Sequence, residues 1–342
     1  MERKLASIRR ISDIQPIEGA DMIELAIVDG WKVVVAKDVG HKVGDMVVYC
    51  EIDSFLPIRE EFEFLRKSSY KKMGDQEGFR LKTIKLRGQV SQGLILPISV
   101  LNPPDVNIYV EPFEGLDVTE MLGIVKYEPP IPAELAGKVK GNFPSFIPKT
   151  DEERVQNLAS EYESYLYQSK HQFYVTEKLD GSSATFYFKD GVFGVCSRNL
   201  ELLETEGNTF WKVARQLKLE EWLGTHETNY SIQGELIGEG IQGNPYKIKG
   251  QTVRFYNAFN IDTQEYLGFP DFIKLIDSMN LETVPVLDTN FTLPETIDGI
   301  LKYAEDKSVL NPAFDREGVV IRSLDRTISF KAISNKFLLK HE

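Results

Sequence analysis

In the first third of the chain, apolar and polar residues alternate over short runs: "LASIRRISDI", "MIELAIVDG", "WKVVVAKD", "MVVYCEI", "FRLKTIKLRG" and "QGLILPI". A period of two marks strands buried on one face, and turn residues separate the runs at regular spacing. Residues 1–125 therefore read as a small all-β domain. At this length a five-stranded OB-like β-barrel is expected, with a generic β-sandwich as the alternative.

The alternation stops near Val125. Over 126–149 the text "KYEPPIPAELAGKVKGNFPSFIPK" is rich in proline and has no long apolar period, so this stretch is expected to be a linker. In "TDEERVQNLASEYESYLYQ", Thr150 or Asp151 can cap a helix, with Val155, Leu158, Ala159, Tyr162, Tyr165 and Leu166 at helical spacing. A helix, carrying Arg154, is thus expected to open a second domain over 150–342. Strands are expected at "QFYVTEKL", "ATFYFKDGVFGVCSR" (with a turn at Lys189, Asp190 and Gly191), "YSIQGELI", "VRFYNAFNID", "EGVVIRS" and "RTISFKAI". Helices are expected at "NTFWKVARQLKLEEWL", "PDFIKLIDSM" and "PETIDGILKYAED", which makes this domain mixed α+β.

Composition adds bounds. The 342 residues, 42% apolar and 27% charged, suit two globular domains without a disordered block. The N-terminus lacks a signal-peptide pattern and no run suits a membrane span, so the expectation is an intracellular, cytoplasmic protein with no membrane partner; it is also expected to be a monomer. Cys50 and Cys196 lack metal-site spacing and are expected as small core residues. A net charge of −12 argues against indiscriminate nucleic-acid binding, but eight cations face two acids between Leu65 and Arg87. These are Arg66, Lys67, Lys71, Lys72, Arg80, Lys82, Lys85 and Arg87, candidates for phosphate contact on the barrel.

The chemistry concentrates in the second domain. In "VTEKLDGSSATFYF", Lys178 ends a strand just before an Asp-Gly turn, where a lysine can form a Schiff base, hold a phosphate or attack phosphorus and carry a nucleotide. Alone, Lys-x-Asp-Gly says little. It is accompanied by Arg198 in "VCSRNLEL", Glu235 in "QGELIGEGIQGNPY", Phe259 in "FYNAFNI", Glu317 in "REGVVIRS" and Lys331 in "SFKAISNKFLLK", all at strand positions.

In that order these stretches resemble motifs I, Ia, III, IIIa, IV and V of the covalent nucleotidyltransferases, the superfamily of ATP-dependent DNA and RNA ligases and mRNA capping enzymes. "FPSFIPKTDEERVQN", "GELIGEGIQGNPY" and "FKAISNKFL" resemble RNA ligases of the Deinococcus and Naegleria type, which place an OB-like domain ahead of the adenylation domain. The resemblance implies an ATP-dependent RNA ligase that joins 3′-hydroxyl and 5′-phosphate ends at nicks, with Lys178 as the nucleophile that accepts AMP. It implies that Glu177 lies beside the adenine, Phe259 stacks on it, Arg198 contacts ribose or phosphate, and Glu235 the ribose hydroxyls. Lys331 would touch the α-phosphate, and Arg154 the triphosphate or the nucleic-acid 5′-phosphate. Relatives with Lys-x-Lys in motif V differ from this chain, which has Ile333 at the second position and its next lysine at Lys336.

One conflict remains at Lys178. Its amine must be neutral to attack, so a pKa near 10.4 must fall by about 3.4 units, or about 4.6 kcal/mol. Burial lowers a lysine pKa, but neighbouring acids oppose this. Mg2+ or Mn2+ held by Asp180, Glu235 and Glu317 would reverse that opposition. The rival enzymes are an ATP-dependent DNA ligase and an mRNA guanylyltransferase, the latter disfavoured because its OB domain follows the catalytic domain. The rival of another class is a catalytically inactive nucleic-acid-binding protein.

Overall fold

The computed structural model describes residues 4–101, 111–128, 137–167 and 171–341. The chain divides into two compact units, Met1–Pro130 with Val155–Glu163 and Leu338–Glu342, and Ile131–Arg154 with Ser164–Phe337. The division is not a single cut: the stretch after Arg154 belongs to the first unit before the chain re-enters the second.

The first unit contains β1 (Ala6–Pro16), β2 (Ile23–Val28), β3 (Trp31–Ala36), β4 (Met46–Cys50), β5 (Ser54–Pro57), helix α1 (Arg66–Ser69), β6 (Tyr70–Met73), β7 (Gln76–Arg80), β8 (Thr83–Leu86), β9 (Gln89–Gln92), β10 (Leu94–Pro97) and β11 (Val125–Lys126). A five-stranded sheet runs β10-β4-β1-β2-β3, a four-stranded one β11-β5-β7-β6, and β8-β9 is a separate hairpin. The register of β1 shifts between Ile11 and Asp13, which lets one long strand curl from β4 to β2. Ile8, Val48, Cys50, Leu56, Phe62 and Phe79 build the core. Trp31 is fully buried, and its indole N–H donates to Asn157 Oδ1, which satisfies the ring's one polar atom. Asn157 in turn donates to Glu51 Oε1 at 2.6 Å.

The expected strand "FRLKTIKLRG" is two strands, β7 and β8, broken at Leu81 and Lys82. The stretch 126–149 is not uniform either: Lys126 is part of β11, Val139–Asn142 forms β12, and residues 129–136 lie outside the described residues.

After β12 the second unit contains β13 (Glu153–Arg154), β14 (Phe173–Lys178), β15 (Ser182–Lys189), β16 (Val192–Cys196), β17 (Leu200–Leu202), β18 (Tyr230–Gly238), β19 (Gln251–Asn260), β20 (Glu265–Tyr266), β21 (Val286–Phe291), β22 (Gly318–Ser323) and β23 (Ser329–Ile333). Two sheets result, β12-β17-β16-β15-β18-β19-β20 and β13-β23-β22-β14-β21. Helix α2 (Ala159–Tyr167) precedes β14; α3 (Thr209–Gln216) and α4 (Leu219–Gly224) follow β17, α5 (Phe269–Ser278) follows β20, α6 (Ile297–Ala304) follows β21, and α7 (Asn335–His341) ends the chain.

The helix expected from Thr150 begins only at Ala159. Arg154 is on a strand instead, because Glu153 and Arg154 pair in parallel with Phe330 and Lys331 of β23. The long helix expected from Asn208 divides at Lys218, whose φ of 55° ends α3 and opens α4. Asn208 caps α3 by accepting from Phe210 N at 3.1 Å. Asp190 and Gly191 form the expected tight turn, with φ of 50° and 81°.

Alternation along β15 and β18 divides the seven-stranded sheet into two chemistries. Ala184, Phe186, Ile232 and Leu236 point into a helix-covered core with Trp211, Phe255 and Phe272. Ser183, Thr185, Ser231, Gln233 and Glu235 occupy the other face.

Candidate active site

Lys178 ends β14. Its ammonium donates to Glu317 Oε1 at 2.7 Å, and both side chains are largely covered. Glu317 immediately precedes β22, whose Gly318 is opposite Lys178, so the ladder itself brings the two residues together. Register then aligns the cations. Thr176 is opposite Val320, Val320 opposite Lys331, and Lys331 beside Arg154. Lys178, two residues from Thr176 on the same strand, therefore shares one face of the five-stranded sheet with Lys331 and Arg154.

That face meets the polar face of the other sheet. Gly181 N donates to Glu235 Oε1 at 3.1 Å, and Asp180 N donates to the Tyr246 hydroxyl at 2.6 Å. Further along, Thr150 and Ser183 hydroxyls are 2.8 Å apart, and Arg326 donates to Asn257 Oδ1 at 3.0 Å. Gly181 sits where the chain turns against β18. A Cβ there would come within 2.5 Å of Leu236 O and 2.9 Å of Glu235 Cγ.

The electrostatics are those of an acidic pocket around one ammonium. Burial acts to lower the Lys178 pKa, but Glu317, Glu235 and Asp180 outweigh it and hold the group above its usual range. Burial pushes the Glu235 carboxyl up to about 8, against the pull of Lys178 and with help from Glu317 and Asp180. Asp180 is pushed up to about 6 by burial and by Glu317. These carboxyls are short of positive charge. An all-oxygen donor set of this kind fits a hard divalent cation. Among the described residues no three acidic, His or Cys side chains converge closely enough to hold an ion by themselves, so waters and substrate phosphates would complete its shell.

Other expected site residues sit differently. Alternation turns the Glu177 side chain to the sheet face opposite Lys178, where Oε2 accepts from Val309 N at 2.8 Å. Only its main chain is available to the Lys178 face. Phe259 shares the Glu235 face through its pairing with Ser231, but it is buried, edge-on to Tyr266 at 5.1 Å and packed with Ile147, Tyr187 and Ile261. Arg198 is exposed and pairs with Asp151 at 2.6 Å. Lys336 pairs with Glu305 at 3.4 Å and belongs to α7.

A buried ionic group was missed by the sequence reading. Arg322, opposite Ser329 on the face that carries Lys178, donates to Glu152 Oε1 at 2.8 Å and lies 5.8 Å from the Tyr256 ring. The signal was present in the strand "EGVVIRS", where Arg322 alternates in phase with Val320.

In the first unit the basic stretch divides by pairing. Arg66 bonds Glu63 at 2.6 Å, Lys72 pairs with Glu77 at 2.7 Å, and Arg80 with Asp53 at 3.3 Å. Lys82 is partly covered between β7 and β8, whereas Lys67, Lys71, Lys85 and Arg87 are exposed.

Comparison with known proteins completes the picture. A family model described as RNA ligase matches residues 171–340, and one described as an OB-fold domain matches residues 5–98. No curated protein matches the chain. Among solved structures, Naegleria gruberi RNA ligase in a ligand-free aspartate-to-alanine variant is 44% identical, with a TM-score of 0.91 over 99% of this chain and 98% of that one. A lysine-to-methionine variant of the same enzyme with AMP and Mn is 45% identical, with a TM-score of 0.91 over 99% of both chains. A lysine-to-alanine variant with ATP and Mn is 44% identical, with a TM-score of 0.89 over 99% of both.

Proposed function

The chain belongs to the RNA ligase family, and on that premise we propose that it joins RNA 3′-hydroxyl and 5′-phosphate ends, at nicks in duplexes, through a lysyl-AMP at Lys178 with ATP as the adenylyl donor. The observation that carries this reading is the register that puts Lys178, Lys331 and Arg154 on one sheet face, with Glu317 bonded to the lysine. The AMP- and ATP-containing structures of the Naegleria enzyme support the choice of nucleotide.

In the first step the Lys178 amine attacks the α-phosphorus. A P–N bond forms, the bond to the bridging oxygen breaks, and pyrophosphate leaves. Glu317 Oε1, which accepts the ammonium's hydrogen bond, would take the lysine proton. Lys331 and Arg154, side by side on the Lys178 face, would meet the phosphate charge. In the second step an oxygen of the RNA 5′-phosphate displaces Lys178 from phosphorus, which restores the amine. In the third the 3′-hydroxyl attacks that 5′-phosphate and AMP leaves. Asp180, Glu235 and Glu317 would hold Mg2+ or Mn2+, which when bound supplies positive charge favouring the neutral amine and offsetting charge on the leaving pyrophosphate.

Incubation with ATP labelled at the α-phosphate, with Mg2+ or Mn2+, tests this. Label should stay on the denatured protein and be absent from Lys178→Ala, and the enzyme should seal a nick whose 3′-end is a ribose. No label from ATP, or equal label in Lys178→Ala, overturns the proposal.

A further inference from the structure

The hairpin β8-β9 is bonded at its base, and β9 packs along β3. Gln92 donates to the Thr83 hydroxyl at 3.3 Å, and Ser91 Oγ accepts from Val34 N of β3 at 3.0 Å. The five residues from Ile84 to Gly88 are all exposed. Leu86 pairs with Gln89 across a two-residue turn in which Arg87 and Gly88 have φ of 47° and 83°. This is the tight turn that fixes a hairpin's twist, so the tip is shaped in advance.

Its surface combines two chemistries. Ile84 and Leu86 point to one side and are 46% and 39% exposed, so the tip presents two apolar side chains next to each other. Lys85 lies between them on the other side and Arg87 at the tip, and neither makes an ion pair among the described residues. No acidic residue occurs in the sequence between Arg80 and Asp105. In a chain of net charge −12 this is a local surplus of positive charge with nothing of its own to neutralise it.

We propose that this tip grips duplex RNA, with Ile84 and Leu86 against the riboses of the wide, shallow minor groove and Lys85 and Arg87 on flanking phosphates. The minor groove of an A-form helix is wide and shallow, displays riboses with their 2′-hydroxyls and is flanked by phosphates, so a preformed tip edged by cations can seat on its shape without reading a sequence. Arg66, Lys72 and Arg80, already engaged by Glu63, Glu77 and Asp53, are secondary. The inference rests on the RNA-ligase reading and adds which surface holds the substrate.

The test uses the full chain with a nicked RNA duplex as probe. The double variant Lys85→Glu/Arg87→Glu should raise KM for sealing about tenfold and flatten the slope of log affinity against log salt by about two. Ile84→Ser with Leu86→Ser should raise KM several-fold without changing that slope, and Lys274→Ala on the exposed face of α5 should change neither. Lysyl-AMP formation should be unaffected in all of them. Unchanged KM and slope with normal lysyl-AMP would overturn the hairpin proposal alone. An equal rise in KM on single-stranded RNA would overturn the duplex as its occupant. Absence of lysyl-AMP from the unsubstituted protein would instead overturn the ligase reading on which it rests.

Discussion

The Lys178 ammonium donates to Glu317 Oε1 at 2.7 Å, so the nucleophile is held in its unreactive, protonated form by the carboxylate nearest to it. Glu317→Gln removes that charge and should lower the Lys178 pKa. On the proposed mechanism it also removes a proton acceptor and one of the carboxylates that would hold the metal. We expect lysyl-AMP formation to fall on the order of 10²-fold, with the alkaline rise of the remaining rate moved to lower pH. Single-turnover labelling across pH checks both; a lowered rate with an unmoved profile would mean that Glu317 does not set the charge state of Lys178.

Lys331 and Arg154 are neighbours across a parallel ladder, two cations in register on the Lys178 face. Lys331→Ala should slow lysyl-AMP formation about 10²-fold with little change in stability, as expected for a group that meets charge developing at the phosphate. Labelling from ATP in a single turnover, alongside a thermal melt, separates this from unfolding. A variant that adenylylates normally would remove Lys331 from the first step.

How far the site was legible depends on what each residue's role requires. Lys178, Glu235, Glu317 and Lys331 could be picked out together because each lies in or next to a strand and their order resembles the nucleotidyltransferase motifs. The facing of Glu177 was not legible, since the ladder with β22 decides which side of β14 carries the nucleophile. Arg154 was assigned to a helix on local spacing, but its backbone is claimed by β23, far along the chain. The Glu152–Arg322 pair spans 170 residues, and no local pattern specifies such a partner. That the first domain is all-β was legible from alternation, because strands buried on one face need only a period of two, whereas the OB fold rather than a sandwich rested on length and on the family resemblance. Which cations of its basic stretch stand unpaired depends on Glu63, Glu77 and Asp53, whose positions follow from folding.

Gly181 leaves no room for a side chain. An added Cβ would collide with Leu236 O and Glu235 Cγ, so β18 must move or the turn after Lys178 must open. Gly181→Ala should cost about 1–3 kcal/mol and displace Glu235 from its bond to the Gly181 amide. Lysyl-AMP formation should drop more than stability does. Normal adenylylation in a folded Gly181→Ala protein would show that the contact is not needed to position Glu235.

Glu152 offers a pH-dependent test of the buried pair. Burial acts to raise its pKa, but Arg322 and Arg326, with the Ser329 hydroxyl, outweigh that and hold it below the usual carboxylate range. A carboxyl depressed in the folded state contributes stability above its unfolded pKa and loses it as pH falls through the folded value. Glu152→Gln strands Arg322, which is 2% exposed, without its counter-charge. The expected loss near neutral pH is about 3–5 kcal/mol. The difference from the unsubstituted protein should shrink as pH falls below the ordinary carboxylate range, because both proteins then carry a neutral group at 152. Denaturant melts at neutral and acidic pH measure it, and a gap that stays constant with pH would mean that the pair contributes packing rather than charge.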